Sequence, residues 1–399
     1  MKILVVDTTM DGSIVGGAHT FLVQLMSGLN AAGHDVHFLS KGDPVAKSAA
    51  GIEESGAVIH RDVWTGSLLV DDGTPEVAKW VNELRPDVFV VSVSPDIGWT
   101  VMPHLDPRIA TLTIGHNDQE PFYTPVRHYK KFLTRAVGVS EEICRKYVDD
   151  CGVAADRVEW IPYGVVTNDS EPVTLASGPL RLVYVGRFEN KQKRIDDVVA
   201  IIKRLGDAGV EFTFDLVGDG TEMSNVQAAL SDKLESGKVR VHGWLGGERV
   251  IETMRSSEVF ILASEYEGFC ISLTEAMANG CTPVVTDIRS GNKQLVKDGE
   301  NGFIVPIGDI DAFVDRIKLL DSDRGSLARM RTVAWETGRE YGVERMVDNY
   351  VACFERAIEN ARVSPRIPDP SFPLMESCRS KYPLWLRRIK GKAKSFLRE

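Results

Sequence analysis

Glu267 and Glu275 are the residues whose types and spacing most clearly suggest chemistry. They have seven residues between them and flank a turn that joins a predicted strand, Val259–Ala263, to a helix predicted from Leu273. The strand is a run of apolar, β-favouring residues, and Gly280 is suited to a left-handed cap after the helix. Both carboxylates therefore lie near the start of a helix that follows a buried strand.

This turn could bind a ligand that combines an anion with hydroxyl groups. Gly268 allows a tight turn and close approach of the backbone, and the first N–H groups of a helix favour an anion such as a diphosphate. Carboxylates would repel a phosphate, so they are better suited to accept hydrogen bonds from sugar hydroxyls. A nucleotide-sugar needs both features. A structural alternative remains open, because Ser272 and Glu275 also form a capping-box pattern and Glu267 could be a solvated loop acid.

A second group of charged residues follows the predicted strand Leu182–Val185. Arg187 comes at the end of this strand, and Lys193 precedes a predicted helix. Arg187 could bind diphosphate oxygens in a bidentate manner, while Lys193 supplies a compact positive charge. Two cations would stabilise a departing diphosphate as its negative charge grows. The alternative is a solvated basic turn, the commoner role of such a charge run.

Three further features could contact a ligand. Gly16 and Gly17 could bring backbone N–H groups to a phosphate at the start of a helix, although a plain tight turn is the commoner use of such a pair. Gly218 and Gly220 suit close approach by a nucleotide but occur in many α/β proteins. His116 follows an apolar strand and would lie at a ligand-binding edge, although a lone histidine is more often structural.

Alternating strand and helix patterns predict an α/β fold with two doubly wound parallel sheets. The predicted strands are Ile3–Val6, Val36–Leu39, Ala57–His60, Val88–Val93, Ala110–Ile114, Val137–Val139, Leu182–Val185, Phe212–Val217, Val239–His242, Val259–Leu262, Pro283–Thr286 and Phe303–Val305. The predicted helices are Thr20–Ala32, Pro75–Leu84, Ile195–Leu205, Met223–Leu230, Arg249–Arg255, Leu273–Ala278, Ala312–Leu320 and Val343–Arg362.

Bulk properties narrow the class of protein. A chain of 399 residues is too long for one ordinary core, so two domains are expected. A net charge of −10 argues against nucleic-acid binding. The six cysteines form no Cys-x-x-Cys, and no signal peptide or membrane-spanning run is recognised, which favours a cytoplasmic protein without a structural zinc site. Asp309-Ile310-Asp311 matches Asp-x-Asp, but it opens a predicted helix and is interpreted as an N-cap, not as a metal site.

Taken together, the motifs resemble the retaining glycosyltransferases of GT-B fold and family 4 type, the glycosyl transferases group 1. The resemblance covers roughly residues 1–361 and rests on Gly-Gly, Gly-Arg with a following Lys, Val-Gly-Asp-Gly and Glu-x7-Glu in this order. It implies two Rossmann-like domains facing a cleft and a C-terminal helix that crosses back to the first domain. The expected segments are an acceptor-side domain at 1–166, a linker at 167–179, a nucleotide-sugar-binding domain at 180–342, the crossing helix at 343–362 and a tail at 363–399.

The resemblance also implies residue roles. Arg187 and Lys193 would hold the donor diphosphate, and Glu267 would bind donor-sugar hydroxyls. Glu275 would bind the ribose, and the backbone from Phe269 through Cys270 to Ile271 would line the sugar and phosphate. Gly17 would contact phosphate from the N-terminal domain, and His116 would lie near the donor sugar on the acceptor side. Family members of this type need no metal and no other cofactor, because cationic side chains replace the metal.

Some positions depart from the family pattern and leave the donor sugar open. Cys270 replaces a common Gly or Pro, Ile161-Pro-Tyr-Gly-Val-Val166 replaces Ile-Pro-Asn-Gly-Val-Asp, and residues 290–294 lack the usual Pro-Glu pair. A UDP-sugar is the first expectation and a GDP-sugar the second. Two alternatives remain: a GT-B nucleotide-sugar epimerase, and a catalytically silent nucleotide-sugar-binding partner. A Rossmann dehydrogenase is disfavoured, because no Gly-x-Gly-x-x-Gly follows the first strand.

Residues 379–399, the basic tail, have a pattern of their own. They carry eight Lys or Arg and one acid, a net of +7, so the rest of the chain carries −17. Apolar residues from Leu386 to Leu397 share a predicted helical face, with Trp385 at its start. The pattern favours peripheral binding to an anionic membrane surface and a saccharide or lipid-linked acceptor. The alternative is a tail that packs on the acidic body of the protein.

Overall fold

The computed structural model describes residues 1–7, 16–40, 51–61, 63, 70–94, 96–167, 169–172, 178–289 and 291–378. The basic tail lies outside the described residues, as do residues 168 and 173–177 of the predicted linker. The chain divides into two compact units. The first unit is Met1–Ile161 together with the chain from Val347 onward, and the second unit is Pro162–Met346.

The first unit is built on a seven-stranded parallel sheet in the order β3-β2-β1-β4-β5-β6-β7. Its strands are β1 (Lys2–Asp7), β2 (Asp35–Ser40), β3 (Val58–His60), β4 (Val88–Val91), β5 (Ala110–Gly115), β6 (Arg135–Gly138) and β7 (Val158–Trp160). Most residues of the central strands are buried, which explains their near-continuous apolar sequences. The order of strands reverses at β1, which pairs with both β2 and β4.

Helices connect these strands. They include Gly17–Ala31, Val70–Leu84, Ile97–Val101, Glu120–Tyr129 and Glu141–Asp149, with 3-10 turns at Met102–His104, Lys130–Phe132 and Ala155–Arg157. Residues 51–54 are also helical. The first helix shows why the sequence folds this way. Phe21, Leu25 and Leu29 recur every four residues and are buried, so they form one apolar stripe against the sheet.

The second unit holds a six-stranded parallel sheet in the order β10-β9-β8-β11-β12-β13. Its strands are β8 (Leu180–Val185), β9 (Phe212–Val217), β10 (Val239–Gly243), β11 (Val259–Leu262), β12 (Thr282–Thr286) and β13 (Phe303–Val305). Its helices are Ile195–Asp207, Met223–Ala229, Ser231–Glu235, Gly247–Arg255, Ile271–Ala278, Asn292–Leu295, Ile310–Ser322 and Arg324–Arg339. One apolar cluster of strand and helix side chains forms its core.

A long helix, Val343–Val363, follows the second unit, and from Val347 onward it belongs to the first. Its buried residues Tyr350, Cys353 and Phe354 lie on one face, as the sequence pattern predicts. The Tyr350 ring lies 5.7 Å from that of Phe21. The helix ends one residue later than predicted.

The structure contains elements that the sequence patterns did not predict. Strand β7 has only three residues with a glutamate in the middle, and the helix Glu120–Tyr129 contains two prolines, so neither shows a clear period. The helix Arg324–Arg339 carries charged residues along much of its length. Within the described part of the chain, no helix combines the length and apolar character that crossing a membrane requires.

Candidate functional site

Arg187, Lys193 and the Glu267–Glu275 turn lie at one point of the second sheet. Arg187 follows β8, and the turn follows β11. These two strands are neighbours, and the strand order reverses between them, because β9 and β10 extend to one side and β12 and β13 to the other. Ligands of open α/β sheets bind at such a switch point, outside the carboxyl ends of the strands.

A nearly buried ion pair forms the centre of the site. The Lys193 Nζ donates to Glu267 Oε1 at 2.6 Å, and the two side chains are only 11% and 7% exposed. Burial alone would lower the pKa of Lys193, but the charge of Glu267 and the hydrogen bond to it raise this pKa above its ordinary value. Lys193 is therefore a fixed positive charge, so the solvated-turn alternative does not apply to it.

Gln192 connects Arg187 to this ion pair. Its amide donates to Glu267 Oε2 at 3.3 Å and to the Tyr266 carbonyl at 3.2 Å, while its side-chain oxygen accepts from Arg187 Nη2 at 2.6 Å. One side chain thus orients both the arginine and the glutamate. The sequence patterns did not predict a role for Gln192. Its only signal is its position between Arg187 and Lys193, shortly before the helix that begins at Ile195.

Glu189 and Tyr184 hold the turn between β8 and the next helix. The Glu189 carboxylate accepts hydrogen bonds from the backbone N–H groups of Gln192 and Lys193 at 3.1–3.2 Å. The buried Tyr184 hydroxyl donates to the Arg187 carbonyl at 2.8 Å. These hydrogen bonds fix the backbone of the turn that carries Arg187 and Lys193.

In the turn after β11, the side chains of Phe269 and Cys270 are buried, so mainly backbone groups are available to a ligand. The Phe269 ring packs against Tyr163 at 5.9 Å and Tyr341 at 5.7 Å. Burial raises the pKa of the Cys270 thiol to about 11, so the thiol is neutral. The first bond inside the helix runs from Thr274 N–H to the Cys270 carbonyl at 3.2 Å, so earlier N–H groups of this turn point out of the helix end.

The structure excludes the capping-box interpretation of Ser272 and Glu275. The helix begins at Ile271, two residues earlier than predicted, and its N-cap is Cys270. Ser272 therefore lies inside the first turn, where its Oγ is 3.3 Å from the Cys270 Sγ. Among the residues that the structure describes, no group donates a hydrogen bond to the Glu275 carboxylate, and burial raises its pKa to about 7. Glu275 is thus an acceptor that the helix itself does not use.

The pKa of Glu275 predicts how stability depends on pH. Its pKa is about 7 in the folded chain and 4.5 ordinarily. Between these values the unfolded chain binds fewer protons at this group, so Glu275 lowers stability as pH rises from about 4.5 to 7. We expect Glu275→Gln to gain about 1–2 kcal/mol over the unchanged chain across this window, less than the full shift because the side chain keeps some exposure. Chemical denaturation at pH 4.5, 6 and 8 measures this.

The matched control is Glu252→Gln, which removes an exposed carboxylate from a neighbouring helix. It should show no such gain. A Glu275→Gln variant whose stability relative to the unchanged chain is the same at every pH would show that Glu275 titrates normally.

Gly218 and Gly220 lie in the loop after β9, which packs against the turn after β8. A Cβ on Gly218, where φ is +139°, would lie 1.9 Å from the Gly186 carbonyl oxygen, and one on Gly220 would lie 2.4 Å from that of Phe188. The two glycines therefore let the loop after β9 pack against the turn that carries Arg187. This packing accounts for both glycines without a ligand, so their predicted nucleotide contact remains a prediction.

In the first unit, Gly16 and Gly17 start the helix Gly17–Ala31. Gly16 is the N-cap, and its carbonyl accepts from the N–H groups of His19 at 2.9 Å and Thr20 at 3.2 Å. No side chain caps this end, and a Cβ on Gly16 would meet nothing within 4 Å. These observations concern the described residues alone, so the anion-binding role of this helix start stays a prediction.

His116 directly follows β5. Its Nε2 lies 2.8 Å from the Ser92 Oγ, and its ring meets the edge of Phe21 at 5.3 Å, on the helix that Gly17 begins. Burial lowers the pKa of His116 to about 3. The imidazole is therefore neutral near pH 7 and could act as a hydrogen-bonding group but not as a cation.

The structure thus places the predicted residues in two groups. The second unit brings together Arg187, Lys193, Glu267, Gly268, Phe269, Cys270, Ile271 and Glu275, with Gly218 and Gly220 beside them. In the first unit, Gly16 and Gly17 begin the helix whose Phe21 contacts His116. Asp309 is an N-cap, as predicted, since its Oδ1 accepts from the Ala312 N–H at 2.9 Å.

Comparison with known proteins identifies the class. The family described as "Glycosyl transferases group 1" matches residues 166–336, and the one described as "Glycosyltransferase Family 4" matches residues 15–169. A solved structure, the pneumococcal O-GlcNAc transferase GtfA in complex with UDP and GlcNAc, superposes with a TM-score of 0.74 at 13% identity, covering 90% of this chain and 99% of that one. The chain therefore belongs to the group 1 glycosyltransferases and has the GT-B fold, as the motifs predicted.

Curated relatives have related activities. The chain is 31% identical over 179 residues to the lipopolysaccharide core biosynthesis glycosyltransferase LpsE of Rhizobium meliloti, covering 45% of this chain and 50% of the relative. It is 30% identical over 219 residues to a GDP-mannose-dependent alpha-mannosyltransferase of Corynebacterium glutamicum, covering 54% of this chain and 48% of the relative. The chain thus spans about half the length of each of these two relatives.

Proposed function

We propose that the protein is a retaining, metal-independent glycosyltransferase that moves a sugar from a nucleotide-sugar to a saccharide or lipid-linked acceptor in polysaccharide or glycoconjugate synthesis. The observation that carries this is the nearly buried Lys193–Glu267 pair, linked through Gln192 to Arg187 at the switch point of the second sheet. Positive charge thus lies beside a helix end and two carboxylates. The positive charge and the helix end suit the diphosphate of a nucleotide-sugar, and the carboxylates suit its hydroxyl groups.

The donor would bind with its parts divided among these groups. The diphosphate would lie on Arg187, Lys193 and the open N–H groups after Cys270. Glu267, whose Oε1 already accepts from Lys193, has remaining acceptor capacity for hydroxyls of the sugar. Glu275, which has no partner among the described residues, would accept from the ribose hydroxyls.

The proposed chemical step makes use of this placement. The bond between the anomeric carbon and the β-phosphate oxygen breaks, and the acceptor hydroxyl forms a new bond to the same face of that carbon. The acceptor proton passes to an oxygen of the departing diphosphate. Arg187 and Lys193 stabilise the charge that collects on this diphosphate, which is the role that a metal would otherwise fill.

A UDP-sugar is the proposed donor and a GDP-sugar the second choice. The structurally similar GtfA is described in complex with UDP, and the mannosyltransferase relative is described as GDP-mannose-dependent. Thermal-shift measurement against UDP, GDP, ADP and their sugars separates these, because a ligand at about 100 times its Kd stabilises by about 2.7 kcal/mol.

The function is tested with the stabilising nucleotide-sugar in the presence of EDTA. We expect release of the nucleoside diphosphate and transfer of the sugar to an oligosaccharide or lipid-linked acceptor, with the anomeric configuration of the donor kept. Activity that disappears in EDTA and returns with Mg²⁺ or Mn²⁺ would exclude the metal-free proposal. Turnover of the donor without any acceptor would indicate an epimerase, and binding without turnover a silent partner.

We also propose that the protein acts at the inner face of a membrane through the basic tail. Each basic residue near an anionic surface contributes about 1 kcal/mol, and the remaining chain, at −17, would be repelled. The full chain should therefore sediment with phosphatidylglycerol vesicles at low salt, and a chain ending at Cys378 should not. Binding should weaken as salt rises, because attraction is screened over about 10 Å at 0.1 M. Equal sedimentation of both chains would show that the basic tail is not the source of vesicle binding.

A further inference from the structure

The chain that follows the long helix is fixed firmly to the first unit. We call residues 364–378 the latch. The Arg366 guanidinium donates to four backbone carbonyls, those of Met102, Leu105, Asp106 and Ile109, at 2.6–3.2 Å. Burial lowers the pKa of Arg366 to about 10, so it stays charged at neutral pH. A charged group with four acceptors holds this part of the latch in one position.

Further contacts fix the rest of the latch. The Asp369 N–H donates to the Pro103 carbonyl at 2.9 Å, and its carboxylate accepts from Lys131 at 3.2 Å. The Phe372 ring packs against the ring of Phe132, with centroids 4.9 Å apart, and under Lys131 at 4.2 Å. Met375 and Cys378 are buried. The latch is therefore held on the first unit up to Cys378, the last residue that the structure describes.

Two apolar side chains at this end of the molecule face solvent. Val363, the last residue of the long helix, is 73% exposed, and Ile367 in the latch is 85% exposed. They are the most exposed large hydrophobic residues in the described part of the chain. Arg366 anchors the backbone next to Ile367, so the isoleucine is held outward. The two residues are four positions apart, at most about 14 Å along the chain.

Two ion pairs involve residues next to these side chains in sequence or in the latch. Arg362 pairs with Glu359 at 3.7 Å, and Lys131 pairs with Asp369. Together with the charged Arg366, these groups leave an excess of one positive charge, which attracts an anionic surface only weakly. Most of the electrostatic attraction must therefore come from the basic tail, while the latch, which directly precedes the tail in sequence, offers apolar contact.

We propose that Val363 and Ile367 form a membrane-contacting surface that inserts into the headgroup boundary of an anionic bilayer, with the basic tail supplying the attraction. This rests on the proposed function only in placing the protein at a membrane. Interfacial binding needs both terms, apolar area and charge, because either one alone gives weak and reversible attachment. The latch would then hold the first unit against the lipid surface, where a lipid-linked acceptor is found.

The test uses the full chain and vesicles of equal parts phosphatidylglycerol and phosphatidylcholine. We expect Ile367→Asp, and more strongly Val363→Asp with Ile367→Asp, to weaken partitioning about tenfold or more, because lost insertion adds to the roughly fivefold effect of one charge near the surface. Leu319→Asp is the matched control: it makes the same change at a side chain that is 47% exposed on the second unit. It should partition as the unchanged chain does.

Two results would overturn the proposal. One is partitioning of the double variant equal to that of Leu319→Asp, which would leave the tail as the whole attachment. The other is a full chain that does not bind these vesicles at all. Nucleotide-induced thermal stabilisation is measured on every variant and should stay unchanged, so a failure of membrane contact is distinguished from a failure of the glycosyltransferase proposal.

Discussion

Replacing Lys193 by alanine is expected to lower turnover about 10²–10³-fold, as loss of a preorganised group that stabilises transition-state charge does. The leaving diphosphate gains charge as the sugar bond breaks, so this cation matters more in the transition state than in the bound donor. The effect should therefore fall mainly on kcat, with a smaller change in the KM of the donor. Steady-state kinetics with the preferred nucleotide-sugar measure both constants.

Two further variants separate chemistry from structure. Lys191→Ala removes an exposed lysine from the same turn and should leave turnover within about twofold of the unchanged chain. Lys193→Ala also leaves Glu267 without its ion-pair partner in a nearly buried position. Adding Glu267→Gln removes this stranded charge, and turnover should stay low. If it returns in the combined variant, Lys193 serves only to neutralise Glu267.

Gly218→Ala is expected to destabilise the second unit by more than about 3 kcal/mol, because a strained φ and a collision add together. The new Cβ would lie 1.9 Å from the Gly186 carbonyl oxygen, which is backbone and cannot rotate away. The matched control is Gly237→Ala, where φ is +72° but nothing lies within 4 Å. It should lose only about 1 kcal/mol, the cost of the backbone strain.

Denaturant unfolding with a probe of the second unit measures this difference. Equal losses for the two alanine variants would show that the loop after β9 relaxes freely away from Gly186. In that case the packing of Gly218 against Gly186 would not be what fixes the turn that carries Arg187.

The parts of the fold that were predictable have strong local signals. Buried parallel strands such as Val259–Leu262 are continuous apolar runs, and the long helix places Tyr350 and Phe354 on one face. Strand β7 was not predicted, because its conformation depends on pairing with β6 and its own three residues carry little signal. Propensity is a weak guide where tertiary pairing dominates.

The site was predictable in its charged residues but not in the groups that orient them. Arg187, Lys193, Glu267 and Glu275 stand in recognisable spacings. Gln192 has no such signal, because its role depends on β8 and β11 being neighbours, which brings residues 74 or 75 positions apart into contact. The capping-box alternative failed for a similar reason: the helix starts at Ile271, and no propensity rule distinguishes this from a start two residues later.

The central claim is that the Glu267–Glu275 turn binds a nucleoside diphosphate, and titration calorimetry in EDTA tests it most directly. The unchanged chain and Glu275→Ala are titrated with UDP, GDP and ADP. We predict that one of these nucleotides binds the unchanged chain, and that Glu275→Ala weakens this binding by about 1–3 kcal/mol, or about 5- to 150-fold in Kd, as loss of charged hydrogen bonds should. If none of the three binds, or if one binds both chains with equal affinity, the assignment of this turn to the nucleotide is wrong.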